Sequence, residues 1–150
     1  ALPFAGDFDS IDIARDRFWV VYPKAHAFAG RETILPSEIA SEDLLLLEDG
    51  HCLRDHALQA CQATEVASVD GIEATSLLTL VQMVASGMGV ALLPEMAIKS
   101  GVLGNLPLKS RPLAPPAPER TIALVTRSTS AHMVEFEAIA QLISSVHRKK

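Results

Sequence analysis

Apolar positions along the chain fall into short runs divided by breakers rather than into one long stripe. Arg17–Tyr22 (RFWVVY) is rich in β-formers and is ended by Pro23. Pro36–Ala40 predicts a short helix with proline in its first turn. Leu44–Leu47 (LLLL) is an unbroken apolar run flanked by acids, which predicts a strand buried on both faces, as inside a parallel sheet. Asp49-Gly50 breaks it, and His51–Gln62, with Leu53, Ala57, Leu58 and Ala60, predicts a helix. A second unit repeats the pattern. Ile72–Ala74 predicts a strand, and Thr75 or Ser76 caps a helix over Leu77–Ser86, where Leu77, Leu80, Val81 and Val84 recur at helical spacing. Gly87-Met88-Gly89 stops that helix. Val90–Leu93 predicts a strand closed by Pro94, and Glu95–Lys99 a short helix. Gly101–Pro118 reads as loop with an edge strand at Leu106–Leu108. Thr121–Val125 predicts a strand, and Ala131–Val146 a last helix with Met133, Phe136, Ile139, Leu142 and Ile143 on one stripe. Strands alternating with helices predict an α/β fold with a largely parallel sheet, and no internal repeat is present.

The totals narrow the classes. A chain of 150 residues with 49% hydrophobic residues can bury a core, which argues against a disordered segment. Thirteen basic against eighteen acidic residues, a formal net charge of -5, leave no electrostatic footprint for nucleic acid on this segment. No apolar run reaches the roughly 18 residues that a membrane helix needs, so no membrane partner is expected. ALPFAGDFDS lacks the basic start and apolar run of a secretory signal. The expected address is cytoplasmic, where a disulfide is transient rather than structural.

The chemistry concentrates in EDGHCLRDHALQAC, Glu48–Cys61, which holds both cysteines of the chain. Cys52 falls at the predicted helix N-terminus, where free N–H groups and the helix dipole stabilise a thiolate. His51 and Arg54 add positive charge; Asp55 opposes them or holds Arg54 in place. Cys61 lies among Leu58, Ala60 and Ala63 and reads as a small apolar residue when reduced. If one helix spans both cysteines, they lie ~13–14 Å apart on opposite sides of it, beyond the roughly 7 Å that a disulfide allows. They could bond only if the helix opened. From the residues alone three readings stay open: inert core cysteines, a zinc site using Cys52, His56 and Cys61, or a thiol switch. No standard metal-ligand spacing is present, so no metal or other cofactor is expected.

LLLLEDGHCLRDHALQAC resembles the regulatory domain of the peroxide-sensing LysR-type transcriptional regulators. ATSLLTLVQMVASGMGVALLP, Ala74–Pro94, and ERTIALVTR, Glu119–Arg127, resemble the next strand–helix–strand unit and the return strand of LysR-type regulators in general. The resemblance runs from about Arg17 to the end. It implies an α/β fold of the periplasmic-binding-protein type with two subdomains joined by crossing strands. Residues 1–15 would be the end of the first subdomain and a crossing strand. Residues 16–120 would be the second subdomain with the redox cysteines, and 121–150 the return strand and C-terminal helix of the first. The chain would be an N-terminally truncated regulatory domain, lacking the DNA-binding winged helix-turn-helix.

The resemblance also implies roles. Cys52 would be the peroxidatic cysteine and Cys61 its disulfide partner. His51 and Arg54 would tune Cys52, with Asp55 beside them, and Gly50 and His51 would line the peroxide pocket. Implied partners are hydrogen peroxide, cellular thiol reductants, a second copy through the regulatory domains (a tetramer in the full-length protein), and DNA only through the missing domain. Sensing would be stoichiometric, so the chain would not be an enzyme. One departure stands out: Val69–Glu73 (VDGIE) replaces a stretch where the family carries a His and an Arg, which puts polar support from that strand in question. The alternative within the family is a domain binding a small-molecule effector without thiol chemistry, with Thr75 and Ser76 at a helix N-terminus as the effector site. A solute-binding protein of similar fold and a thiol peroxidase are the more distant rivals. Arg17 and Arg120 read as solvated ends of the crossing strands.

Overall fold

The structure is a computed structural model that describes residues 7–48, 52–60, 68–115, 117 and 119–147. The chain divides into two compact units, Ala1–Asp16 with Glu119–Lys150, and Arg17–Pro118. Strand β1 (Phe8–Pro23) contributes to both. Its second half is the expected RFWVVY strand, with Phe18, Val20, Val21 and Tyr22 buried.

In the larger unit, β2 (Leu44–Leu47) pairs in parallel with β3 (Ser68–Ala74), and all four leucines are buried, as the unbroken apolar run requires. On its other side β2 meets the start of β4 (Ala91–Pro94) through a parallel bridge from Leu44 to Val90. Helices α2 (Cys52–Ala60) and α3 (Leu77–Ala85) are the crossovers that this parallel order needs. The remaining pairings correct the largely parallel expectation. β1 runs antiparallel to β4, with Phe18 opposite Pro94, and antiparallel to β5 (Leu108–Pro112), with Tyr22 opposite Lys109. No crossover helix ties β1 or β5 to a parallel neighbour. The short helices α1 (Pro36–Ile39) and α4 (Glu95–Lys99) are where the pattern predicts them, and a single 3-10 turn covers Ala27–Gly30.

The strands bury both faces, and neighbouring residues serve different cores. Val20, Tyr22, Leu44, Leu46, Val90 and Leu92 join one cluster with Phe18, Ile34, Ile39 and Ala57. Val21, Leu45, Leu47, Ala91 and Leu93 join another with Leu80, Val81 and Val84 of α3. This period-2 split is why VALL and LLLL carry no polar positions.

Gly89 makes the return from α3 to the sheet. A Cβ there would lie 2.1 Å from the Asp43 carbonyl oxygen, and that same oxygen accepts a hydrogen bond from the Val90 N–H at 2.9 Å. Gly87 has φ +78 but open space around it.

The smaller unit pairs the first half of β1 with β6 (Glu119–Arg127), which alternates exposed and half-buried residues. Helix α5 (Met133–His147) buries Phe136 and Ala140, one turn apart. The expected stripe is only partly used: Ile139, Leu142 and Ile143 are exposed, because the unit covers one narrow face of a helix that is apolar on several. Arg120 is no solvated end. Its guanidinium holds the Asp16 carboxylate through Nε at 2.9 Å and Nη2 at 2.8 Å, and the Asp16 side chain is 1% exposed. Beside it, Arg15 pairs with Glu119 at 2.7 Å in the open.

Two contrasts test this account by urea unfolding. Gly89→Ala should cost roughly 2 kcal/mol or more, because backbone must move, whereas Gly87→Ala should cost only about 1 kcal/mol. Arg120→Ala should destabilise by about 2–4 kcal/mol, since it removes a guanidinium from a buried carboxylate, and Arg15→Ala by ~1 kcal/mol or less.

Candidate functional site

Helix α2 is described over Cys52–Ala60, within the helix expected over His51–Gln62. Its inner face is short: Ala57 is buried, and Leu53 and Leu58 are half-buried. Leu53 packs against both cores and so wedges the first turn of α2 over the sheet. His56 sits half-buried with its ring 6.1 Å from that of Phe18, packed toward the core rather than displayed at the surface. These contacts hold α2 against the sheet.

Polar support comes from Arg54. Its Nη1 donates to the Leu47 carbonyl at 3.0 Å, at the end of β2, and also pairs with the Glu73 carboxylate on β3. One guanidinium therefore joins three elements: α2, β2 and β3. The Arg54 side chain is 19% exposed and that of Glu73 is 36% exposed. Asp55 is exposed in the first turn, where its charge favours the helix dipole.

Glu73 is the residue that sequence reasoning missed. VDGIE was read as a loss of polar support, yet its last residue supplies that support. The missing signal was register: Leu46 lies opposite Glu73 and Leu47 opposite Ala74, which brings Glu73 to the end of β2 where Arg54 arrives.

A cavity of about 10 Å³ lies under α2, lined by Leu45, Leu47, Leu53, Arg54, Ala57 and Leu80 among others. It is at the lower limit for a single water and is nearly all apolar. It is too small to hold a peroxide. Gly50, His51 and Cys61 lie outside the described residues, and of Cys52 the backbone alone is described. The Cys52–His56–Cys61 metal set therefore also falls outside them.

Thr75 and Ser76 precede α3. Ser76 is its N-cap, with Oγ accepting from the Thr79 N–H at 3.1 Å and lying 2.9 Å from Thr79 Oγ1. The hydroxyl is thus engaged by its own helix. Thr75 is exposed.

Comparison with known proteins places this arrangement. Residues 3–148 match the LysR substrate binding domain family model. A probable hydrogen peroxide-inducible genes activator of Streptomyces viridosporus is 40% identical over 87% of this chain and 42% of its own length. The HTH-type transcriptional regulator EstR of Acinetobacter baylyi is 38% identical over 97% of this chain and 48% of its own length. The chain thus spans less than half the length of these curated relatives. A hydrogen-peroxide-bound mutant of OxyR from Corynebacterium glutamicum superposes with a TM-score of 0.86 at 32% identity, covering 99% of this chain and 48% of that one. The expected α/β fold of the periplasmic-binding-protein type stands, and with a family model matched over nearly its whole length the chain belongs to the LysR substrate-binding domain family.

Proposed function

We propose that this chain is the regulatory module of a hydrogen-peroxide-responsive LysR-type transcription regulator, and that it switches by a reversible Cys52–Cys61 disulfide. The observation that carries the reading is geometric. α2 is wound from Cys52 to Ala60. Eight residues of helix put their Cα atoms ~12 Å apart, and one further peptide step of ~3.8 Å brings the next Cα no nearer than ~8 Å to Cys52, past the ~7 Å limit of a disulfide. Joining the two cysteines requires α2 to open, so oxidation state and local fold are linked. The names of the Streptomyces and Corynebacterium relatives support the same oxidant.

The chemistry runs in two steps. The Cys52 thiolate, favoured at a helix N-terminus, attacks one peroxide oxygen. An S–O bond forms, the O–O bond breaks, and the departing hydroxide takes a proton to become water. Cys61 then attacks the sulfenic acid. An S–S bond forms, the S–O bond breaks, and the hydroxide leaves with the Cys61 proton as a second water. Cellular thiols return the pair to the reduced state by exchange. Each molecule responds once per cycle, as a sensor in the cytoplasm and not as an enzyme. The rearranged segment would act on a dimer of regulatory domains and, through a DNA-binding domain elsewhere in the protein, on transcription.

The second reading is an effector-binding domain without thiol chemistry, with Thr75 and Ser76 at the α3 N-terminus. The match of residues 3–148 to a substrate binding domain family model favours keeping it. The engagement of Ser76 by Thr79 weighs against it.

Thiol counting by mass spectrometry after peroxide treatment separates the two. The unaltered chain should lose both free thiols to one internal disulfide. Cys52→Ser should lose the response, and Cys61→Ser should stop at sulfenic acid or a mixed disulfide. An unoxidised Cys52 in the unaltered chain, with a metabolite raising the melting temperature of the double cysteine variant, would establish the effector reading instead.

A further inference from the structure

We infer that Glu73 is a positioning residue for the switch: by holding Arg54, it latches α2 closed and sets how fast the second, disulfide-forming step follows the first. The inference rests on the proposed thiol reading and goes beyond it, since Glu73 occupies a stretch that departs from the family pattern.

The latch is built from one side chain used twice. Arg54 Nη1 donates to the Leu47 carbonyl and pairs with the Glu73 carboxylate. The carbonyl alone is a neutral acceptor on a strand end. The carboxylate adds charge, and a charge-assisted hydrogen bond is about twice as strong as a neutral one. Leu47 and Arg54 bracket the stretch that includes Cys52, so the tie spans the reactive cysteine without using it. Glu73 lies on β3, whose pairing to β2 involves no residue of α2. Its contact with Arg54 is therefore a fixed anchor against which α2 either stays wound or lets go.

The two chemical steps make different demands on that anchor. Sulfenic acid formation acts on a thiolate at the start of a helix that is still wound. Disulfide formation needs α2 open, and opening withdraws Arg54 from both Leu47 and Glu73. Weakening the anchor should speed the second step and leave the first alone. A merely structural role for Glu73 would lower the stability of the whole unit without separating the two steps.

The test follows sulfenic acid by dimedone trapping and disulfide by intact mass, both after rapid mixing of the full chain with hydrogen peroxide. Glu73→Gln should form sulfenic acid at an unchanged rate and close the disulfide about two- to fivefold faster, the range expected from loss of a partly exposed ion pair. Glu73→Asp, which keeps the charge, should restore most of the slow closure. Added salt should accelerate closure in the unaltered chain toward the Glu73→Gln rate and move that variant less, because the variant lacks the Glu73 charge to screen. The salt series and Glu73→Asp carry the test if Glu73→Gln does not fold. Normal oxidation of Cys52 with the same, salt-insensitive closure rate in all forms overturns the latch while leaving the thiol reading intact. A Cys52 that peroxide does not oxidise overturns both.

Discussion

An α-helix and a disulfide between its two ends cannot coexist, and this incompatibility governs the region around α2. A helix adds ~1.5 Å per residue, while a disulfide holds two Cα atoms within about 7 Å. With Cys52 and Cys61 nine positions apart, the chain must choose between winding and bonding. Inert core cysteines have no such conflict, and neither do the cysteines of a permanent disulfide. On the proposed thiol reading, the conflict gives the segment two exclusive packings, which is what a switch requires.

A choice of this kind works only if the wound state is held modestly. Among the described side chains of α2, Ala57 is buried, Leu53, His56 and Leu58 are half-buried, and Arg54 ties the helix to the sheet. The sheet beneath it is held very differently. The leucines of β2 and the matching run of β4 feed two cores at once, so the frame can keep its structure while the helix above it changes. Local opening of this sort belongs to elements with few buried apolar contacts on a scaffold that has many.

The parts of this design that were legible in the sequence are those set by local pattern. Leu44–Leu47 announces a strand buried on two faces because no position in it is polar. Thr75-Ser76 announces a helix start because a hydroxyl there can take an N–H of the first turn, and Gly87-Met88-Gly89 announces its stop. What the sequence hid depends on partners distant in the chain. The first half of β1, with Asp9 and Asp12, has no apolar periodicity of its own and becomes a strand by pairing with β6. Asp16 and Arg120, 104 positions apart, look like ordinary surface charges until that pairing buries the carboxylate. Glu73 looks like a departure from pattern until the β2–β3 register delivers it to Arg54. The stripe on α5 is legible as apolar but not as exposed, because periodicity says which residues share a face and not what covers it.

The cost of opening α2 acts on both directions of the switch. Condensation of a sulfenic acid with a thiol is strongly downhill, so a small increment in the stability of the wound helix does not alter whether the disulfide forms under peroxide. It alters how long the sulfenic acid persists before it closes. The same increment raises the energy of the bridged form relative to the reduced one, which makes the disulfide more oxidising by ~30 mV for each 1.4 kcal/mol. A stronger hold by Arg54 therefore delays the response to peroxide and eases the return by cellular thiols. A weaker hold gives a quicker and more persistent response. On the proposed reading, one ion pair at the edge of the sheet is enough to place such a regulator along that scale.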